Sequence, residues 1–463
     1  MKDMTTGSPV RGILGFCVPL LIGNLFQQLY NLADSMLVGR ILGVNAFAAV
    51  GSTGALNFLI MGFALGICSG FAIPIAQSFG AGDREEVRRR VGQLVWLGLI
   101  FSALITLVAA VWTDDLLRIT QTPDEIYDEA YSYIRIVFLG ASATVLYNLA
   151  SGILRAMGDS RTPLYFLMGA VGVNVVLDVL FMKLIGMGVE GAAYATVLSQ
   201  LLSGAACVLY IRARVPMLRL SRDDVRPDPR RMRLIASVGV PMGLQFSITA
   251  IGSIMVQSAV NGLGTAVVAA VSASSKVHML VSAPLESCGI AMATYCGQNL
   301  GAKDLRRIRK GVDAVVVMCF SYCAAAFVFN YFLGAKVAEF FIDGSETAIL
   351  ADVHRYLTIN AAAYPMLAVI FIFRNSLQGM GFSGQAMGAG LAELVARALV
   401  AFGFVGSFGF TAVCVASPVA WLFADVLLLA LYHVELRRLE RAWSAEKRTR
   451  RRDSIVSVCL RRA

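Results

Sequence analysis

Long apolar runs separated by short polar breaks recur along the whole chain. A helix needs about 20 consecutive apolar residues to cross the hydrocarbon core of a bilayer. Twelve such runs are readable, at 12–38, 47–76, 91–113, 131–157, 163–186 and 190–212, then at 234–262, 267–299, 311–334, 353–380, 384–407 and 411–435. They predict an all-α polytopic membrane protein with 12 transmembrane helices. Composition agrees: 57% of the 463 residues are hydrophobic, 15% are charged, and the mean hydropathy is +0.69. A soluble domain carries about a quarter charged residues, so a soluble enzyme, a secreted disulfide scaffold and a disordered chain are excluded. The segment before Pro9 is short and weakly charged, and the apolar run after it is too long for a signal-peptide core; a true first span is expected.

The formal net charge is +10, and its placement decides what it means. Of the 40 lysines and arginines, 31 fall in one set of connections: Lys2 and Arg11, Arg84 to Arg90, Arg155 and Arg161, Arg212 to Arg233, Lys303 to Lys310, and Arg437 to Arg462. The opposite loops hold five, namely Arg40, Arg118, Lys183, Lys336 and Arg355. Basic loops stay in the cytoplasm, so both termini are expected there, with the chain in the cell membrane. The charge is then a topology signal, with anionic lipid as a further contact for the C-terminal tail, and nucleic acid is not an expected partner.

The chain repeats itself. Gly80-Ala81-Gly82-Asp83 returns as Gly301-Ala302-Lys303-Asp304, Leu42-Gly43 as Leu263-Gly264, and Ala49-Val50 as Ala270-Val271, all at an offset of 221. Pro19 returns as Pro241 at 222. Each half holds an even number of spans, so the repeats are parallel and form two lobes across a cleft, the geometry of alternating access. An N-lobe over 1–213, an arginine-rich cytoplasmic linker over 214–233, a C-lobe over 234–435 and a basic cytoplasmic tail over 436–463 are expected. No G-x-S-x-G or H-E-x-x-H constellation occurs, which sets a membrane-embedded enzyme behind a transporter. Nine cysteines form no C-x-x-C pair and the three histidines are scattered, so neither a structural metal site nor a cofactor is expected.

Polar stripes mark the candidate chemistry. The first span carries Asn24, Gln27, Gln28, Asn31 and Asp34 on one helical face. Amides alone would serve as helix–helix glue, but a carboxylate at mid-membrane depth costs about 2.5–3.5 kcal/mol and must face the lobe interior or a wet cavity. The fifth span presents Asn174 and Asp178 on one face, and the sixth Thr196, Ser199, Gln200 and Ser203. Two aspartates sharing a desolvated pocket do not both ionise, which is what a proton carrier needs; the same oxygens would also ligate Na⁺. The second half differs. Its seventh span has the uncharged stripe Thr249, Ser253, Gln257 and Asn261, and Glu393 and Arg397 stand where the first half has Asn174 and Asp178. Four residues apart, they are expected to neutralise each other as a structural pair. Lys276, Glu286 and Asp425 stay open: Lys276 and Glu286 either face the cleft or pair with each other or with Arg374.

With these residues the chain resembles the multidrug and toxic compound extrusion (MATE) exporters. The segments that carry the resemblance are Asn31-Leu-Ala-Asp34-Ser-Met-Leu-Val-Gly39-Arg40, Gly80-Ala-Gly-Asp83, Arg155-Ala-Met-Gly-Asp159-Ser-Arg-Thr-Pro163 and Gln298-Asn-Leu-Gly-Ala302. The resemblance implies a V-shaped pair of six-helix bundles that exports amphipathic, often cationic compounds in exchange for H⁺ or Na⁺. It maps the family's N-lobe cation site onto Asp34, Asn174, Asp178 and Thr196, with Tyr30 one turn away and Pro19 as the helix-1 hinge. The acidic positions that some members use in the seventh and tenth spans hold Thr249 and Leu367 here, which argues against a C-lobe Na⁺ site. Substrate contacts are expected from Tyr30, Asn31, Gln27, Asn148, Gln200, Gln257 and Asn261. H⁺ is the favoured coupling ion, with Na⁺ competing at Asp34 and Asp178, and the chain is expected to act as a monomer. A lipid-linked-sugar flippase of the same superfamily is the nearest alternative. The amide- and hydroxyl-lined first and seventh spans disfavour it, because a pyrophosphate site calls for cations.

Overall fold

The computed structural model describes residues 3–120, 122–342 and 344–460, with side chains except at 32, 110, 119 and 446–460. Lys2, Arg461 and Arg462 of the charge tally lie outside the described residues. Helices carry the chain. In order they are α1 (Pro9–Leu42), α2 (Val44–Ser52), α3 (Gly54–Gly80), α4 (Arg84–Ile119), α5 (Asp124–Leu139), α6 (Ala141–Ala156), α7 (Arg161–Asp178) and α8 (Val189–Arg214). The second half continues with α9 (Pro229–Asn261), α10 (Thr265–Gly301), α11 (Leu305–Phe329), α12 (Ala335–Ala338), α13 (Thr347–Ala362), α14 (Tyr364–Gly379), α15 (Ser383–Ala398), α16 (Val405–Phe408) and α17 (Phe410–Leu460). Ten helical segments are long and apolar enough to cross a membrane, and two bent pairs, α5 with α6 and α13 with α14, bring the number to 12.

Three expected spans are corrected in detail. The run at 47–76 is divided: α2 ends at Ser52 and α3 starts at Gly54, with Thr53 between them. The runs at 131–157 and 353–380 bend by 44° and 48°. At the first bend, a β-carbon on Gly140 would lie 2.2 Å from a Val197 methyl, so only glycine lets α5 and α6 pass α8 there. At the second, Pro365 in the first turn of α14 cannot donate to the helix before it. Repeat-equivalent glycines also share backbone geometry: Gly43 and Gly264 have φ of 95° and 98°, and Gly158 and Gly381 have 80° and 93°. Where the repeat puts Lys303 opposite Gly82, lysine itself takes the left-handed conformation, at φ 57°.

The halves meet along α3 and α9, which cross through two Gly-x-x-x-Gly pairs, Gly66/Gly70 and Gly239/Gly243. A β-carbon on Gly70 would lie 2.5 Å from the Gly239 α-carbon. Towards the ends of α3 and α10 the approach is closer still, since a β-carbon on Gly80 would fall 1.9 Å from the Gln298 carbonyl oxygen and one on Gly301 1.8 Å from that of Gln77. The two copies of the repeated Gly-Ala motif therefore pack on each other. Hydrogen bonds that join the halves gather at this end. Gln77 donates to the Gly379 carbonyl at 3.1 Å, and Gln298 donates to the Ala156 carbonyl at 2.9 Å while accepting from the Met4 amide at 2.9 Å. Arg307 takes the carbonyls of Met4, Thr6 and Gly7, at 2.9–3.1 Å. Met4, Ile13, Phe16, Cys17 and Leu20 belong to the apolar core of the second half, whereas Val38 belongs to a core of the first. Helix α1 thus passes from one core to the other between Leu20 and Val38, and Pro19 lies within the part that packs in the second half.

The linker is anchored on the same side. Trp96 donates to the Val225 carbonyl at 2.7 Å, Gln93 to that of Arg226 at 2.9 Å, and Glu86 pairs with Arg231 at 3.0 Å. Burial works against the charge of Asp224, but hydrogen bonds from Ser221 and the nearby Arg88 hold its carboxyl below the usual carboxylate range. Beyond the last expected span α17 continues as helix, and Arg309 of α11 pairs with its Glu440 at 2.6 Å.

Candidate functional site

Asp34 on α1 and Asp178 at the end of α7 bring their carboxyl groups side to side. Asp34 is 8% exposed, Asn174 1% and Asp178 0%. No hydrogen-bond partner among the described residues reaches Asp34 Oδ1, either oxygen of Asp178, or the amide nitrogen and oxygen of Asn174. Two like charges about 4 Å apart repel by about 4 kcal/mol at an effective dielectric near 20. A proton held between the carboxyls, or a cation bound by both, removes that repulsion and meets the orphaned oxygens. The residues fit either ion. A π-helical turn, Val179–Ile185, starts directly after Asp178, and its repeat counterpart Leu399–Phe404 follows Ala398. Such turns gather at functional positions because they re-aim neighbouring side chains.

Tyr30 and Thr196 close one side of this pocket, their hydroxyls 3.2 Å apart. Tyr133 of α5 is a member that the sequence reading missed: it is buried and, like Tyr30, near enough to feel the charge of both aspartates. A tyrosine in an amphipathic helix carries no signal of its own; only the bend at Gly140 and the packing of α5 on α8 bring it here.

The other candidates divide. Asn24 donates to Ser287 of α10 at 3.2 Å, across the two halves, so it is the glue its amide suggested. Gln27 and Asn31 are bonded to each other at 3.4 Å on a half-open face, and Gln257 and Asn261 form a matching pair at 2.9 Å on the exposed end of α9. Gln200 is half-buried with its carbonyl oxygen unpaired. Asn148 spends its amide on the Thr144 carbonyl of its own helix at 2.8 Å, and Ser199 and Ser203 likewise bond backbone carbonyls. Of these three only Ser203 joins two helices, α8 to α7, and the expected cleft role of Asn148 rests on its half-buried position alone. Pro19 is buried within the continuous helix α1.

In the second half Glu393 does more than pair with Arg397. It accepts from Arg397 at 2.6 Å and from Arg374 at 2.8 Å, so the expected pair is a three-residue cluster. All three are buried, and Asp425 of α17 lies within reach of its charges. Arg374 therefore serves Glu393 rather than Glu286, and among the described residues Lys276 and Glu286 form no ion pair with each other. Thr249 and Ser253 bond carbonyls of α9, and Leu367 is buried among apolar neighbours.

Comparison with known proteins meets this geometry from outside. The MatE family model matches the chain twice, over residues 19–180 and 241–402, one copy for each half. A probable multidrug resistance protein of Bacillus subtilis, YoeA, is 30% identical over 80% of this chain and 81% of its own length. A second from the same organism, YpnP, is 30% identical over 83% and 86%. A solved structure described as the outward-facing conformation of a multidrug resistance MATE family transporter of the MOP superfamily superposes with a TM-score of 0.87 at 25% identity, covering 94% of this chain and 98% of that one. Two copies of one family model, set on two parallel lobes with a buried carboxylate pair in the first, make this chain a member of the MATE family of membrane transporters, which are not enzymes.

Proposed function

We propose that the protein is a secondary active exporter of amphipathic organic compounds, exchanging them for protons by alternating access. The observation that carries this reading is the Asp34–Asp178 pair, two buried carboxyl groups side by side in which no donor among the described residues reaches Asp34 Oδ1 or either oxygen of Asp178. One proton takes the pair from two negative charges to one and removes their mutual repulsion, and the second charge returns when the proton leaves. Asp34 sits on α1, whose first turns pack in the core of the other half, so a change at Asp34 is coupled mechanically to the contact between the halves. The relatives named for multidrug resistance support the substrate class. The charge asymmetry supports a cell-membrane orientation with both termini cytoplasmic, and a single chain holds all the parts.

Na⁺ is expected to compete for the same pocket, since Asp34, Asp178, Asn174 and Thr196 supply enough oxygens for it. The test is transport by purified protein in liposomes with an imposed pH gradient and no Na⁺. Uphill movement of an amphipathic dye such as ethidium is expected for the wild type and none for Asp34→Asn at unchanged expression. Transport that needs a Na⁺ gradient would replace the ion and leave the site; wild-type export by Asp34→Asn would sink the site itself.

A further inference from the structure

Helix α10 lines the gap between the halves with a stripe unlike any lipid-facing surface. Ser272, Ser275, Lys276, Leu280 and Glu286 are exposed, and they follow one another at helical spacing along one side. Ionisable side chains at such depth do not face hydrocarbon; they face a water-filled cavity or a partner. Neither Lys276 nor Glu286 makes a hydrogen bond or ion pair among the described residues. The stripe therefore faces the open cleft.

Its lower end is the floor. Beside Glu286, Ser287 is bonded to Asn24 across the halves, and from Ser287 to Asn299 every residue except Ile290 is buried. Leu285, Ser287 and Cys288 around Glu286 are all buried. Glu286 is thus the last open position of the stripe before a buried stretch and carries a carboxyl group. Lys276 stands about 15 Å nearer the mouth, by the helical rise of ten residues. Met279, half-buried, and Leu280, exposed, lie between them and offer apolar surface.

We propose that Glu286 binds the positive charge of an organic-cation substrate at the floor of the cleft, with the substrate's apolar body along Met279 and Leu280. This rests on the exporter reading and assigns the second half a task separate from coupling. Asp34 and Asp178 handle the ion, and Glu286 selects the charge of the cargo. A carboxylate in a confined cleft is attractive to a cation but indifferent to a neutral amphiphile, so the two classes separate its role from that of the aspartates.

The experiment compares wild type, Glu286→Gln and Glu286→Asp for tetraphenylphosphonium binding by titration calorimetry. It also measures pH-driven transport of that cation and of a neutral amphipathic dye in liposomes. Glu286→Gln is expected to weaken cation binding by about tenfold or more and to raise its KM, with transport of the neutral dye unchanged. Glu286→Asp should stay within a few-fold of wild type. Unchanged cation binding in Glu286→Gln overturns the proposal, and so does loss of the neutral dye together with the cation, which would make Glu286 part of the coupling machinery. A wild type that moves neither compound under any ion gradient overturns the exporter reading and this proposal together. Wild-type transport with an indifferent Glu286→Gln overturns this one alone.

Discussion

A buried glutamate shared by two arginines sets different costs for its three members. Glu393→Gln leaves the two guanidinium groups without a counter-charge in a buried site, a change expected to cost about 3–5 kcal/mol. Arg397→Met leaves Arg374 and Glu393 as a neutral pair and should cost clearly less. Thermal unfolding of the two variants in detergent checks this, and equal losses would mean that Arg374 does not share the charge. Residues of this kind show how far single positions speak from sequence. Asp34, Asp178 and Glu393 announced themselves because an ionisable group in an apolar helix needs a reason. Tyr133 did not, and Arg374 was visible as a charge but not as the partner of Glu393, because which helices meet is something the periodicity of hydrophobic residues cannot express.

Between residues and whole lobes, glycine spacing decides how closely helices approach. The crossing of α3 and α9 leaves no room for a side chain at Gly70 or Gly239, where a β-carbon on Gly239 would fall 2.3 Å from the Phe71 ring. Gly70→Val should therefore force the helices apart and cost about 1–3 kcal/mol by overpacking. Gly172→Val serves as the comparison, since nothing lies within 4 Å of a β-carbon there. Similar unfolding temperatures for the two variants would contradict the close crossing. The existence and order of the twelve spans were legible at this scale, because each apolar run is long and its flanks are charged. Break points were not. Gly51 to Gly54, Gly140 and Pro365 are ordinary membrane-helix residues, and whether they end a helix depends on what packs beside them. Offsets of the repeated motifs were more informative than any single motif, since they placed Gly80 and Gly301 in equivalent positions before their contact was visible.

For the whole molecule, the proposed alternating access requires the contact at the motif-bearing end to open. The chain carries its own means of testing that. Cys17 of α1 and Cys288 of α10 come from different halves, are both buried, and have their sulfur atoms 3.4 Å apart. A disulfide needs about 2.05 Å, so a small approach of the helices suffices to join them. The membrane-permeant oxidant copper–phenanthroline would take two electrons and two protons from the thiol pair and tie α1 to α10 where the proposed exchange cycle must part them. Cys319 also lies beside Cys288, so the measurement belongs in a Cys319→Ser background, where only one product forms. Oxidation should stop pH-driven export, dithiothreitol should restore it, and Cys17→Ser should remove the sensitivity. Protease cleavage in the linker, followed by electrophoresis without reductant, reports the bond directly, because the halves then stay joined. Cross-linked protein that still exports at the wild-type rate would show that α1 and α10 need not separate at this level. The moving contact would then have to be sought nearer the Gly80–Gly301 crossing.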